Sequence, residues 1–178
     1  MKRAEATAGA IAALTAGVLA LSATPASASG TYSGLPYVSG SGVFTDDWGD
    51  EGIVDQSHNT QSNATCLWQK ILWADGLLSA DGIDGIFGPN TASATYTWQV
   101  RWDPLPGHIP DGSAGRNTWT AAGWSLFNSS DTQTGNTVSY YNGASHDFAL
   151  RRDSNGYYHF PDSTGADRAA GYNYRTCS

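Results

Sequence analysis

The sequence predicts a mainly α protein: a three-helix repeat domain with a small C-terminal antiparallel β appendage. Apolar residues recur at helical spacing in two segments, Ser62 to Ala74 and Thr91 to Trp102. The turn pattern D-G-x-x-G-x-N-T occurs twice, 27 residues apart, and Trp-Gln occurs twice, 30 apart. Beyond Asn128 the texture shifts to short segments rich in β-formers, with Ser154-Asn155-Gly156 as a hairpin signal.

Taken in order, the chain opens on Met1-Lys2-Arg3, an apolar stretch from Ala8 to Leu21, and Ala26-Ser27-Ala28. A basic start, a short apolar middle and an A-x-A exit predict a cleaved signal peptide over 1–28, with no stop-transfer flank behind it. The predicted mature protein is secreted, keeps no membrane span and is expected to be a monomer. Residues 29–59 read as a flexible acidic leader, Gly-, Ser- and Tyr-rich at first. Its Asp46 to Asp55 portion is expected to be a loop that covers the domain.

Residues 60–125 hold the three helices. The first runs from Ser62 to Ala74, capped by Ser62 or Asn63, with Leu67, Trp68, Ile71 and Leu72 on one side. Gly76 supplies its left-handed stop. The second runs from Thr91, its expected cap, to Trp102, with Ala94, Trp98 and Trp102 in one stripe. The third covers Thr118 to Trp124, with Trp119 and Ala122 inward. Residues 126–136 read as a polar linker, and 137–178 as a small β-rich tail. Its strands are expected at Val138–Tyr141, Phe148–Arg152 and Tyr157–Phe160. So small a sheet is unstable alone and must dock on the helices.

The chain carries a formal charge of −7; losing Lys2, Arg3 and Glu5 removes a net +1 and leaves −8. Only two lysines occur, Lys2 and Lys70. Such a surface repels phosphate polymers, which excludes nucleic acid and disfavours teichoic acids as partners. The two cysteines, Cys66 and Cys177, predict one disulfide in an oxidising compartment. It would close a loop of about 110 residues, worth about 4 to 5 kcal/mol in the chain-entropy model.

Asp84-Gly85-Ile86-Phe87-Gly88-Pro89-Asn90-Thr91 recurs as Asp111-Gly112-Ser113-Ala114-Gly115-Arg116-Asn117-Thr118. In each copy Asp bonds the backbone two residues on, Gly takes positive φ, and Thr is placed to cap the next helix. Each unit is thus helix, glycine turn, next helix. Trp68-Gln69-Lys70-Ile71-Leu72, the first turn, Trp98-Gln99, and Asp111, Gly112, Gly115, Thr118 and Trp119 follow one another in this order. With these residues the chain resembles the peptidoglycan-binding-like domain family, small helical modules of secreted bacterial proteins of actinobacterial type. The resemblance covers about residues 60–125. Ser113-Ala114 departs from the family's apolar pair, so the second loop is expected to pack less tightly.

The resemblance implies a three-helix fold, peptidoglycan as partner through glycan or stem peptide, and no cofactor. Contact is expected through the glycine-loop face, Asp84, Gly85, Phe87, Gly88, Asp111, Gly112 and Gly115, and through Tyr96 and Trp124, aromatics that lie off the predicted inward stripes. The same Asp and Gly residues also serve purely as turn-builders, and Trp68, Trp98 and Trp119 as core.

No catalytic or metal residue is predicted. His58, His108, His146 and His159 show no zinc spacing. Ser145-His146-Asp147 are neighbours and cannot align as a triad on a strand. Asp81 and Asp84 lack the alternation and distal Glu of a calcium loop. Asn63-Ala64-Thr65 and Asn128-Ser129-Ser130 match the glycosylation pattern. The expectation is a secreted, non-catalytic wall-binding protein. The alternatives are a small wall hydrolase with its site in the tail, and an interaction protein that keeps the fold without wall binding.

Overall fold

A computed structural model describes residues 34–128 and 138–177. The predicted signal peptide, the first residues of the leader and most of the polar linker lie outside the described residues. So do Ser129 and Ser130 of the second glycosylation pattern.

Three α-helices form in the three expected segments: α1 (Asn63–Ala74), α2 (Pro89–Trp102) and α3 (Arg116–Gly123). Ser62 caps α1, its hydroxyl accepting from the Thr65 N–H. Gly76 stands at φ +73 just past the end. The helices α2 and α3 start earlier than expected, with Gly88 and Gly115 as caps that make no side-chain bond. Pro89, at the first turn of α2, brings a preset φ and no N–H to satisfy. The Thr91 and Thr118 hydroxyls are thereby released for another partner.

That partner is the glutamine of the preceding helix. Gln69 Nε2 donates to Asp84 Oδ1 (2.8 Å), the Ile86 carbonyl (3.0 Å) and Thr91 Oγ1 (3.1 Å). Its Oε1 accepts from the Asp84 (3.0 Å) and Gly85 (2.6 Å) N–H groups. Gln99 repeats the pattern on Asp111, Ser113, Thr118 and the N–H groups of Asp111 and Gly112. The two recurring signals, Trp-Gln and D-G-x-x-G-x-N-T, are one device: a buried amide that reads the turn after its own helix.

Gly85 and Gly112 stand at φ +72 and +77. A Cβ on Gly85 would meet Cys177 Sγ at 2.7 Å, and one on Gly112 the Ala92 carbonyl at 2.9 Å. Gly85→Val and Gly112→Val are each expected to cost about 2 kcal/mol from the left-handed backbone alone. Unchanged melting temperatures in both variants would refute the repeated-turn reading.

The fold is α/β and not mainly α. Five strands, β1 (Leu126–Asn128), β2 (Val138–Asn142), β3 (Asp147–Arg152), β4 (Tyr158–Pro161) and β5 (Asp167–Ala169), form one antiparallel sheet in sequential order. The predicted β2–β4 region and its hairpin are present: Gly156 is at φ +84, and Asp153 Oδ1 accepts from the Asn155 and Tyr157 N–H groups. The sheet is wider than expected at both ends. Leu126–Asn128, read as the start of a linker, pairs with β2 as an edge strand. At the other end β5 is added, and the leader bridges the residues flanking β4 and β5, Ser39 to Tyr157 and Tyr37 to Gly171. The sheet is no appendage, because its inner face supplies Tyr141, Phe148, Leu150, Tyr158 and Phe160 to the same core as the helical tryptophans.

The acidic segment of the leader also enters that core. Phe44–Asp50 is a 3-10 helix, and its Trp48 is fully buried. Trp48, Trp119, Trp68, Trp98 and Trp102 follow one another ring to ring at 5.3 to 6.3 Å, mostly edge to face. Ala114 is also fully buried, paired backbone to backbone with Val54. The leader therefore covers the second loop at the small Ala114.

Cys66 and Cys177 form a disulfide, their Cα atoms 6.5 Å apart. Asn63 fastens the same junction: its carboxamide bonds the Ala169 carbonyl, the Thr176 hydroxyl and the Thr176 and Cys177 N–H groups. Asn63 is fully buried, so the first glycosylation pattern is closed to modification in the folded protein. Among the described residues no helix is long and apolar enough to cross a membrane.

Candidate functional site

The residues singled out by the sequence do not converge. Gly85 and Phe87 are buried, and the first turn is covered by the tail: Arg175 Nη1 donates to the Asp84 carbonyl, and Cys177 lies against Gly85. Asp84 itself holds the Ile86 N–H and receives Gln69. The second turn is more open. Asp111, Gly115 and Asn117 line a shallow hollow of about 240 Å³ with Ile53 and His108. Tyr96 is half exposed beside Gly112. Trp124, equally exposed, stands elsewhere.

Trp124 is the residue after α3, and its N–H donates to the Ala121 carbonyl. It stands at the edge of a cleft of about 360 Å³ between the ends of α2 and α3 and the β2–β3 turn. Trp102, at the end of the α2 stripe and only partly buried, is a second aromatic wall. Arg101 lies 5.7 Å from the Trp102 ring. Tyr141, Asn142 and Ala144 close the opposite side.

Asp75 is the hub of this cleft. It follows α1 directly, and its Oδ2 accepts from Trp98 Nε1 (2.7 Å) and Tyr141 Oη (2.8 Å). Its Oδ1 accepts from the Ala144 N–H (2.9 Å). One carboxylate thus ties together α1, α2, β2 and the turn. Burial, and then the Asp75 charge, raises the Tyr141 phenol well above its usual range, so it stays a hydrogen-bond donor. Gly143 lets the turn approach: a Cβ there would lie 2.5 Å from the Ala74 carbonyl, which accepts from Ser145 and His146. The His146 ring stacks on Trp73 at 4.4 Å. Ser145 and His146 therefore dock a turn, and Asp147 opens β3.

The cleft offers partly exposed indole rings next to polar groups on a rigid frame. Among the described residues Asp75 is its single lining carboxylate, and both its oxygens are occupied. Among the described residues no three His, Cys, Asp or Glu side chains are grouped to hold a metal. A wider hollow of about 530 Å³ lies by the 3-10 helix, lined by Ser39, Gly40, Asp46, Asp50, Arg116 and Asn155 without an aromatic ring.

Trp124 was legible in the sequence because it lies off the inward stripe. Trp102 was expected on that stripe with Ala94 and Trp98, and Asp75, Tyr141 and Asn142 were not expected at the site. The signal for Trp102 is its place one residue before Asp103-Pro104, where the helix ends and the stripe outruns its neighbours. Compared with protein-family profiles, with curated proteins and with solved structures, the chain has no match.

Proposed function

We propose that this protein is exported and binds peptidoglycan without cleaving it, through the cleft between Trp102, Trp124 and the β2–β3 turn. The carrying observation is the half-exposed Trp124 ring beside a cleft that also holds polar groups. A sugar has one apolar face and a polar rim, so it suits an aromatic wall beside hydrogen-bonding side chains. The motif resemblance over residues 60–125 points to the same partner. The disulfide fits an oxidising compartment. Among the described residues the cleft has a single, occupied carboxylate, which supports binding over cleavage of the glycan, since glycoside hydrolysis needs two free acids across the bond.

Purified, teichoic-acid-free peptidoglycan is the test. Trp124→Ala is expected to keep the melting temperature and weaken binding about five-fold, for a stacking contact of about 1 kcal/mol. Tyr96→Ala, equally exposed beside the second turn, is expected to change nothing. Loss of binding in Tyr96→Ala alone would move the site to the glycine-loop face. Release of soluble wall fragments by the pure protein would make it a hydrolase.

A further inference from the structure

We infer that the outer face of the sheet, next to the cleft, takes a primary ammonium group on the peptide part of the wall polymer. This rests on the wall-binding reading and adds the chemistry of a second contact. Phe127 and Tyr140 are direct partners across β1 and β2, and both are exposed, at 58% and 38%. The third residue of that row is Ala149, which leaves the floor beside Tyr140 open. One row along, on the same face, Asn142 pairs with Asp147. Phe127, Tyr140, Asn142 and Asp147 together line a hollow of about 450 Å³. Asn142 also lines the Trp124 cleft, so the two surfaces are continuous.

Charge selects the ligand. Among the described residues the other carboxylates of the sheet and its turns are engaged: Asp153 holds its hairpin, Asp162 bonds Arg168 and Thr164, and Asp167 pairs with Arg151. Among the described residues the Asp147 carboxylate has neither a hydrogen-bond nor an ion-pair partner, and the side chains of Asn142 and Tyr140 have no hydrogen bond. The hollow therefore presents carboxylate, carboxamide and phenol oxygens as acceptors, next to two aromatic rings. An ammonium group has three donors and no acceptor, and it is attracted to ring faces. A neutral sugar hydroxyl can donate to the carboxylate but leaves its charge uncompensated, whereas an ammonium group donates and neutralises it; an anion is repelled by it and by the chain's net −7. Amines in the wall polymer occur on its peptides, whereas the N-acetylated glycan has none.

The test compares the mature protein on three forms of the wall: native peptidoglycan, peptidoglycan with its amines acetylated, and glycan strands freed of peptide. Acetylation is expected to weaken binding about ten-fold, the scale of one charge-assisted bond with a cation–π contact. Asp147→Asn, exposed and isosteric, is expected to show the same loss on native wall and to be indifferent to acetylation. Both proteins should bind glycan strands equally, and Trp124→Ala should weaken that binding. Wall binding that ignores acetylation overturns the ammonium site, whatever Asp147→Asn does, and leaves the cleft standing. Failure of the wild-type protein on all three forms overturns both readings.

Discussion

Gln69→Ala is expected to lower the melting temperature by about 10 °C, and Gln99→Ala by a similar amount. Each glutamine makes five hydrogen bonds, and the Gly85 and Gly112 N–H groups it satisfies are buried. Removing the amide strands two backbone donors per turn. At about 1 to 3 kcal/mol for each unsatisfied buried group the loss is about 3 kcal/mol, and about 2 to 4 °C follow per kcal/mol in a domain of this size. Gln69→Glu separates chemistry from size. Glu keeps the acceptor for Asp84 and Gly85 but sets a second oxygen against Asp84 Oδ1 and the Ile86 carbonyl, so it should be at least as harmful as Ala. The two glutamines share no partner, so the double variant should show additive losses. Thermal unfolding with Gln69→Glu as stable as wild type would refute the lock.

The helices were legible because their cause is local. Leu67, Trp68, Ile71 and Leu72 repeat at the period that buries one face, and Ser62 and Gly76 mark the ends of α1. The repeat was legible as a pattern, but its agent was not. Gln69 acts over 15 residues on Asp84, and only the fold shows that Trp-Gln and D-G serve one turn. The class was misread for a related reason. Trp48 and Val38 sit in a stretch rich in Gly, Ser and Asp that looks uncommitted, yet both are fully buried. Their burial depends on Tyr158 and Ala170, more than a hundred residues away. Strands as short as Leu126–Asn128 leave almost no period to read. The cleft shares this origin. Trp124 was visible as an exposed aromatic, whereas Asp75 gains its role only when Tyr141 and Ala144 arrive from the sheet.

The same long-range assembly creates an unusual pH response, for which Glu51 is chiefly responsible. Glu51 is fully buried where the leader meets the tail. Its Oε1 accepts from the Ser39 N–H (2.7 Å), and its Oε2 from Tyr172 Oη (2.6 Å), which in turn accepts from the Gly52 N–H (3.1 Å). Burial outweighs these bonds and raises the carboxyl from its ordinary 4.5 to about 8. The folded protein therefore holds this proton more tightly than the unfolded chain does. The stabilisation is fully present below about pH 4.5 and is lost as pH rises to about 8, at a limiting slope of about 1.4 kcal/mol per pH unit. Asp47, raised by burial against the pull of Tyr158 and Arg152, acts in the same direction. Asp162 is held down to about 2, with Asp55, Asp153 and Asp167 also lowered, so their contributions are lost only on stronger acidification. The melting temperature should accordingly peak near about pH 5 and fall toward pH 8. Glu51→Gln keeps the shape, accepts from Ser39 and can donate to Tyr172 Oη without carrying a charge. It should flatten most of that fall and leave the variant more stable than wild type at pH 8, by a margin that shrinks as pH drops toward 5. Melting curves at three pH values decide the matter: a wild-type protein that gains stability between pH 5 and 8, or a Glu51→Gln variant with an unchanged slope, would show that Glu51 is ionised in the folded protein.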